Sequence, residues 1–115
     1  MSLLESLLDF KKRFNDNEKV KLLLSKWDRC IVVSSDDVSE KYCIIINKGI
    51  VESVTEGSDE EGNVVITLKA VNNVLVDIFT GNTNPATAFL NGNLEVWGDD
   101  MDKIKLDALS LLLWG

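Results

Sequence analysis

The sequence predicts an α+β domain, with helices towards both ends of the chain and β-strands between them. Three observations predict this class. The chain has 115 residues, within the usual span of one domain, and 45% of them are apolar. Near both termini the apolar residues recur every three or four positions, which is typical of helices. Between residues 30 and 69 they form short runs separated by turn residues, which is typical of strands.

Residues 1–28 are predicted to be helical. Ser2 and Glu5 have the spacing of a capping box, in which the hydroxyl accepts the Glu5 backbone N–H and the carboxylate reaches back. The short polar residues 15–17 interrupt the pattern, so a second helix is expected to follow and to end near Trp27. The apolar stripe of the first helix consists of Leu3, Leu7, Phe10 and Phe14.

Residues 30–69 are predicted to form four strands in meander order, each strand pairing with the one before it. Cys30–Ser34 is β-branched and apolar, and the three isoleucines of Lys41–Asn47 indicate a strand that is covered on both faces. Asn47-Lys48-Gly49 has the composition of a tight hairpin turn with glycine at positive φ. The third and fourth strands are expected at 50–55 and 64–69, separated by an acidic, solvated loop.

Residues 71–91 are predicted to hold two helices, and residues 93–97 a fifth strand. Asn84 is expected as the N-cap of the second of these helices, with Pro85 at its first position, where the missing N–H costs nothing. If Leu94 and Val96 face the core, Trp97 lies on the other side of the sheet, where it either packs or anchors an interface.

Residues 99–114 are predicted to form a last helix that is apolar around most of its circumference. Asp99, Asp100 and Asp102 suit the positive end of a helix, so capping explains this acidic cluster better than paired catalytic carboxylates. A helix that is apolar on nearly all sides is buried on several sides, or it covers a ligand or a partner.

The composition argues against several classes of function. The chain has no histidine, which removes the imidazole bases and the commonest zinc ligand. Its net charge of −7 argues against nucleic-acid binding. The run Asp59-Glu60-Glu61 lacks the ligand spacing of a calcium loop, so neither a metal nor a cofactor is expected. Nothing in the sequence indicates a catalytic residue, and the chain is expected not to be an enzyme.

Cys30 and Cys43 are expected to be buried, reduced thiols, because two cysteines are too few for a disulfide-rich secreted scaffold. The apolar start of the chain lacks the basic region and cleavage site of a signal peptide, and no apolar run is long enough to span a bilayer. The expected location is therefore the cytoplasm.

An ordered pattern in the second half of the chain resembles the sterol carrier protein 2 (SCP2) lipid-binding domain family. The upstream turn at 47–49 also lies where that family has an Asn-Gly-type turn, and the resemblance covers most of the chain. The residues that carry it are the strand 64–67, Phe79-Thr80-Gly81, Asn84-Pro85, Ala88-Phe89, Gly92, Leu94-Glu95-Val96, Gly98-Asp99 and the apolar last helix.

The resemblance implies one SCP2-like domain over residues 1–115, with a five-stranded, mostly antiparallel sheet and helices packed mainly on one face. It also implies a non-enzymatic lipid carrier, which holds a fatty acid, a sterol-like molecule or another apolar ligand in a tunnel between the sheet and the helices. The positions that match the family's lining segments, or are further lining candidates, are Leu75, Phe79, Phe89, Leu90, Val96, Ile104 and Leu109.

Departures from the family pattern bear on the ligand. Many members have lysines after the first glycine and on the fifth strand, where this chain has Asn82, Asn93 and Glu95. Their absence predicts weaker attraction for the phosphates of acyl-CoA and for anionic membranes, so only transient membrane contact is expected.

Two alternatives stay open at this stage. The first is an interaction module of the same fold, which forms a homodimer through the last helix or Trp97 and carries no lipid. The second is an enzyme, or an accessory subunit that presents substrate to an enzyme, acting on lipid acyl groups. Without histidine, its catalytic groups would have to be carboxylates or residues of a partner.

Overall fold

A computed structural model describes residues 1–57 and 65–114. The predicted acidic loop lies outside these residues from position 58 onwards, as does Val64, the expected start of the fourth strand. The helices are α1 (Leu3–Asp16), α2 (Glu18–Leu23), α3 (Asn72–Phe79), α4 (Pro85–Leu90) and α5 (Asp100–Trp114). The strands are β1 (Arg29–Ser35), β2 (Lys41–Asn47), β3 (Ile50–Glu56), β4 (Val65–Ala70) and β5 (Glu95–Trp97).

The five strands form one sheet in the order β3-β2-β1-β4-β5. Three of the four pairings are antiparallel, as predicted, but β4 pairs in parallel with β1. The predicted meander is therefore wrong at the fourth strand. Residues Cys30–Val33 of β1 are all buried, because β1 is a central strand with a neighbour at each edge, and β4 occupies the edge that β2 leaves open.

The helices cover one face of this sheet, which confirms the predicted fold class. Ile31 and Val33 of β1, Ile44 of β2 and Ile66 and Leu68 of β4 alternate along their strands and join the buried face of the helices in one core. The other face carries a small separate cluster around Cys30, Val32 and Cys43. Trp97 also lies on that second face, as predicted, and it is 61% exposed.

Two helices begin with the capping contacts that the sequence predicts. The Ser2 hydroxyl accepts the Glu5 backbone N–H and the Glu5 carboxylate accepts that of Ser2, each at 3.1 Å, and the latter bond lowers the pKa of Glu5. The Asn84 side chain accepts the Ala86 N–H at 2.8 Å, next to Pro85.

Helix α3 receives its cap from a distant loop. Its own preceding residue is Val71, which has no polar side chain, and Asp37 from the β1–β2 connection accepts the Asn72 N–H at 2.7 Å. This hydrogen bond lowers the pKa of Asp37. A cap of this kind joins the sheet to the helical layer, and sequence spacing alone does not reveal it.

The β2–β3 hairpin turns tightly at Gly49, which has the predicted positive φ, 75°. Lys48 also has a positive φ, 51°, which was not predicted. The turn packs against the end of α2. A Cβ atom at Gly49 would lie 2.7 Å from the backbone oxygen of Leu24, so the close approach requires glycine as strictly as the φ angle does.

The cysteines are fully buried, as predicted, but the expectation that they are reduced is wrong. The register pairs Cys30 with Ile45 and Cys43 with Val32, so the two cysteines are diagonal neighbours on the same face of adjacent strands. Their Cα atoms are 6.2 Å apart and their sulfurs form a disulfide. The disulfide follows from the β1–β2 register, which cannot be deduced from the number of cysteines.

Among residues 1–57 and 65–114, no helix is both long and apolar enough to cross a membrane.

Candidate functional site

A cavity of about 400 Å³ lies between the sheet and the helices, in the part of the domain enclosed by β1, β4, β5 and helices α3, α4 and α5. This volume falls within the range of small-molecule sites, about 300–1,000 Å³. Most of the lining is aliphatic or aromatic. The lining residues from the sheet, α1, α3 and the segment before β5 are Phe10, Ile31, Leu68, Ile78, Phe79, Leu94 and Val96. Those from α4 and α5 are Pro85, Ala86, Phe89, Leu90, Lys103, Leu106, Asp107, Leu109, Ser110 and Trp114.

The burial of the lining residues shows which end of the cavity is open. Ile31 and Ile78 are only 1–2% exposed and form part of the closed end. Phe89 is 50% exposed and Leu90 82% exposed, although both line the cavity. The mouth therefore lies beside α4, where this helix faces α5, and its α4 rim is apolar.

Helix α5 forms one wall of the cavity, and its two apolar sides differ in burial. Leu109 is buried and Leu106 is half-buried, and both line the cavity. Met101, Ile104 and Leu111 lie on the side turned away from the sheet and are 59–71% exposed. The predicted ring of apolar residues thus divides into a cavity face and a solvent-exposed stripe.

The N-terminal end of α5 is anchored by a buried carboxylate. Asp102 is 1% exposed, and its Oδ1 accepts the Trp27 indole N–H at 2.9 Å. Both carboxylate oxygens also accept from Arg29 Nε, at 3.0 and 2.9 Å. The sequence predicted that the cluster of Asp99, Asp100 and Asp102 caps the helix. Asp99 does so by accepting the Asp102 N–H. The Asp102 side chain instead connects α5 to Arg29 of β1.

The C-terminal end of α5 is anchored by Trp114. Its indole N–H donates to the backbone oxygen of Ile78 at 2.7 Å, and its ring stacks on Phe10 with the centroids 5.7 Å apart. Arg13 of α1 donates to the next carbonyl along, that of Phe79. The end of α3 is therefore held by side chains from α1 and α5, and the cavity wall is fixed on both sides of this junction.

Three polar side chains enter the lining, all from α5. Lys103, Asp107 and Ser110 follow at spacings of four and three residues, so they lie on one side of the helix. Lys103 and Asp107 are exposed at the mouth, whereas Ser110 is only 4% exposed. The Ser110 hydroxyl donates to the Asp107 backbone oxygen at 2.7 Å.

Most of the sequence-predicted site residues lie together in this cavity. Its lining includes Phe79, Phe89, Leu90, Val96 and Leu109. Leu75 is fully buried in the core but does not line the cavity, and Ile104 is 59% exposed on the outer stripe of α5. Contact of any of these seven residues with a ligand stays a prediction.

Sequence reasoning missed several lining residues, for two reasons. Ile31 and Leu68 lie on strands that are neighbours through the parallel β1–β4 pairing, which the predicted meander did not contain. Lys103, Asp107 and Ser110 are polar, whereas the predicted lining contains only apolar positions. Their shared side of a cavity-covering helix was the available signal.

Within residues 1–57 and 65–114, no group of three acidic or cysteine residues is arranged to hold a metal ion. The polar side chains of the cavity lining carry one amine, one carboxylate and one hydroxyl, which suit the positioning of a ligand.

Comparison with known proteins agrees with this architecture. Residues 7–109, which include every lining residue except Ser110 and Trp114, match the sequence profile described as the SCP-2 sterol transfer family. The chain belongs to this family. The SCP-2 sterol transfer family is known for lipid binding and transfer, and its domain is generally not enzymatic. A comparison with curated protein sequences finds no match.

Solved structures of SCP2 proteins share the fold at low sequence identity. A crystal structure of sterol carrier protein 2 is 12% identical with a TM-score of 0.68, over 97% of this chain and 90% of that chain. The UbiJ-SCP2 ubiquinone synthesis protein is 19% identical with a TM-score of 0.60, over 96% and 91% of the two chains. Palmitated SCP2L2 from Aedes aegypti is 15% identical with a TM-score of 0.57, over 96% and 95%.

Proposed function

We propose that this SCP2 domain is a non-enzymatic lipid carrier that holds one apolar ligand, such as a fatty acid or a sterol-like molecule, in the cavity under α5. The observation that carries the proposal is the apolar cavity of about 400 Å³ between sheet and helices. Burial of a hydrocarbon chain contributes about 0.8 kcal/mol per CH₂, so a dry cavity binds lipid without any catalytic group.

The placement of the predicted residues supports this proposal. We assign ligand contact to Phe79, Val96 and Leu109 inside the cavity and to Phe89 and Leu90 at its mouth. One structural neighbour is named as a palmitated protein and another as a ubiquinone synthesis protein. Transfer of an apolar intermediate to an enzyme is a use that the same cavity would serve.

Filling the cavity tests the proposal directly. Ala86 of α4 lines the cavity and is only partly exposed, so Ala86→Trp places an indole in the ligand volume. Uptake of a neutral naphthylamine dye should weaken at least about tenfold, because displacement of only two methylene contacts is worth that factor. Fluorescence titration measures the affinity, and native mass spectrometry shows whether lipid co-purifies.

The matched control is Thr87→Trp, which adds the same ring at the next position of α4, on an exposed residue outside the lining. This variant should keep the affinity of the unmodified chain. Equal affinity for all three proteins, or no dye and no co-purified lipid with the unmodified chain, would contradict carriage in this cavity.

The exposed stripe of α5 favours a second candidate function, self-association through this helix. Met101, Ile104 and Leu111 recur at spacings of three and seven residues and are 67%, 59% and 71% exposed. Sedimentation velocity over a range of concentrations should then show a dimer that Ile104→Glu dissociates. Trp97→Ser, on the opposite face of the sheet, should leave it intact. A monomer at every concentration contradicts this candidate.

A further inference from the structure

We propose that Lys103 and Asp107 at the cavity mouth, together with the buried Ser110 on the same side of α5, form a head-group site that selects an uncharged, hydroxyl-bearing lipid over a carboxylate of the same chain length. This inference rests on the proposed lipid-carrier function and adds the chemistry of the ligand's polar end. These three side chains are on one side of α5, in an otherwise apolar lining.

The polar groups of the lining offer more acceptors than donors. The Ser110 hydroxyl already donates its proton to the Asp107 backbone oxygen at 2.7 Å, so its oxygen faces a ligand only as an acceptor. An ionised Asp107 carboxylate is also an acceptor only. The indole N–H of Trp114 is used by the Ile78 carbonyl. Among the lining side chains, Lys103 therefore provides the hydrogen-bond donor that is available to a ligand.

A hydroxyl group matches this set, because it can donate to Asp107 or Ser110 while its oxygen accepts from Lys103. A carboxylate has no proton to donate. It would gain attraction from Lys103, but it would also lie beside the like charge of Asp107 and the acceptor oxygen of Ser110. Lys103 and Asp107 are both exposed, and none of the ion pairs found within residues 1–57 and 65–114 includes either of them.

The net negative charge of the chain also disfavours a carboxylate ligand. The chain has a net charge of −7. Lys103 is therefore countered at the mouth by Asp107 and in the wider field by the acidic surface. The apolar end of a ligand would lie against Ile31 and Ile78 at the closed end, with its hydroxyl at α5.

The test compares dodecanol with dodecanoate at neutral pH, measured by displacement of the neutral naphthylamine dye. The unmodified chain should bind dodecanol about twofold to fivefold more tightly, the size of one partly exposed charge interaction. Asp107→Asn should remove most of this preference by strengthening dodecanoate. Lys103→Met should weaken dodecanoate further and leave dodecanol within about twofold.

Asp100→Asn is the matched control, since it removes the same charge from an exposed position of α5 outside the lining. It should leave the preference unchanged. Equal or tighter binding of dodecanoate by the unmodified chain overturns the inference and leaves lipid carriage standing. An equal effect of Asp100→Asn and Asp107→Asn also overturns it. Failure of both lipids and of the dye to bind overturns the carrier function itself.

Discussion

Replacing Asp102 by alanine is expected to lower the free energy of unfolding by about 3–5 kcal/mol, the usual cost of breaking a buried ion pair from one side. The Asp102 carboxylate is almost fully buried and accepts hydrogen bonds from Trp27 and Arg29. Its removal leaves the Trp27 N–H unpaired in the core and the Arg29 guanidinium without its counter-charge. Urea unfolding of both proteins measures the difference.

The control for this prediction is Asp100→Ala, which removes an exposed carboxylate from the same helical turn. Loss of a favourable dipole interaction there should cost about 0.3–1 kcal/mol. Similar losses in the two variants would show that Asp102 acts only as a charge near a helix end. A double-mutant cycle with Arg29→Met should give a coupling energy above about 1 kcal/mol if the pair is formed as described.

Gly49→Ala is expected to destabilise the chain by about 2–4 kcal/mol, which combines a positive φ angle with a steric clash. The added methyl carbon would lie 2.7 Å from the Leu24 backbone oxygen and 2.8 Å from its carbonyl carbon. Relief requires the β2–β3 turn to move away from the end of α2, which would strain the hydrogen bond from the Gly49 N–H to the Trp27 oxygen. Thermal unfolding followed by circular dichroism gives the loss.

Gly92→Ala separates the two causes. Gly92 has a φ of 79°, close to the 75° of Gly49, but no heavy atom lies within 4 Å of its added Cβ. Its replacement should therefore cost only the backbone penalty, about 1–2 kcal/mol. Equal losses of unfolding free energy at the two positions would show that the contact with Leu24 adds no steric penalty.

Local features of this fold were predictable because their causes are local. The capping box of Ser2 and Glu5, the Asn84 cap and the tight turn at Gly49 each follow from residues within a few positions of one another. The partner of β4 was not predictable in this way. The buried run of β1 indicates a central strand with a neighbouring strand at each edge. It does not identify β4 as the second neighbour, because any strand with apolar residues on one face could occupy that edge.

The cavity was predictable in kind but only partly in detail. Leu75 and Phe79 lie on the same helix and obey the same apolar pattern, yet one fills the core and the other lines the cavity. The difference depends on how closely neighbouring side chains approach, which is a property of packing in three dimensions. The polar wall of α5 and the disulfide depend likewise on tertiary contacts and on strand register.

The parallel pairing of β1 with β4 also has a consequence for folding kinetics. Strands β1, β2 and β3 follow one another as antiparallel neighbours and can associate through short loops, whereas β4 must find β1 after two intervening strands have been laid down. Closing the longer loop is entropically slower. Since Ile31 and Leu68 belong to these two strands and line the cavity, the cavity is complete only after this non-local pairing has formed. The antiparallel strands β1, β2 and β3 alone therefore do not enclose the cavity.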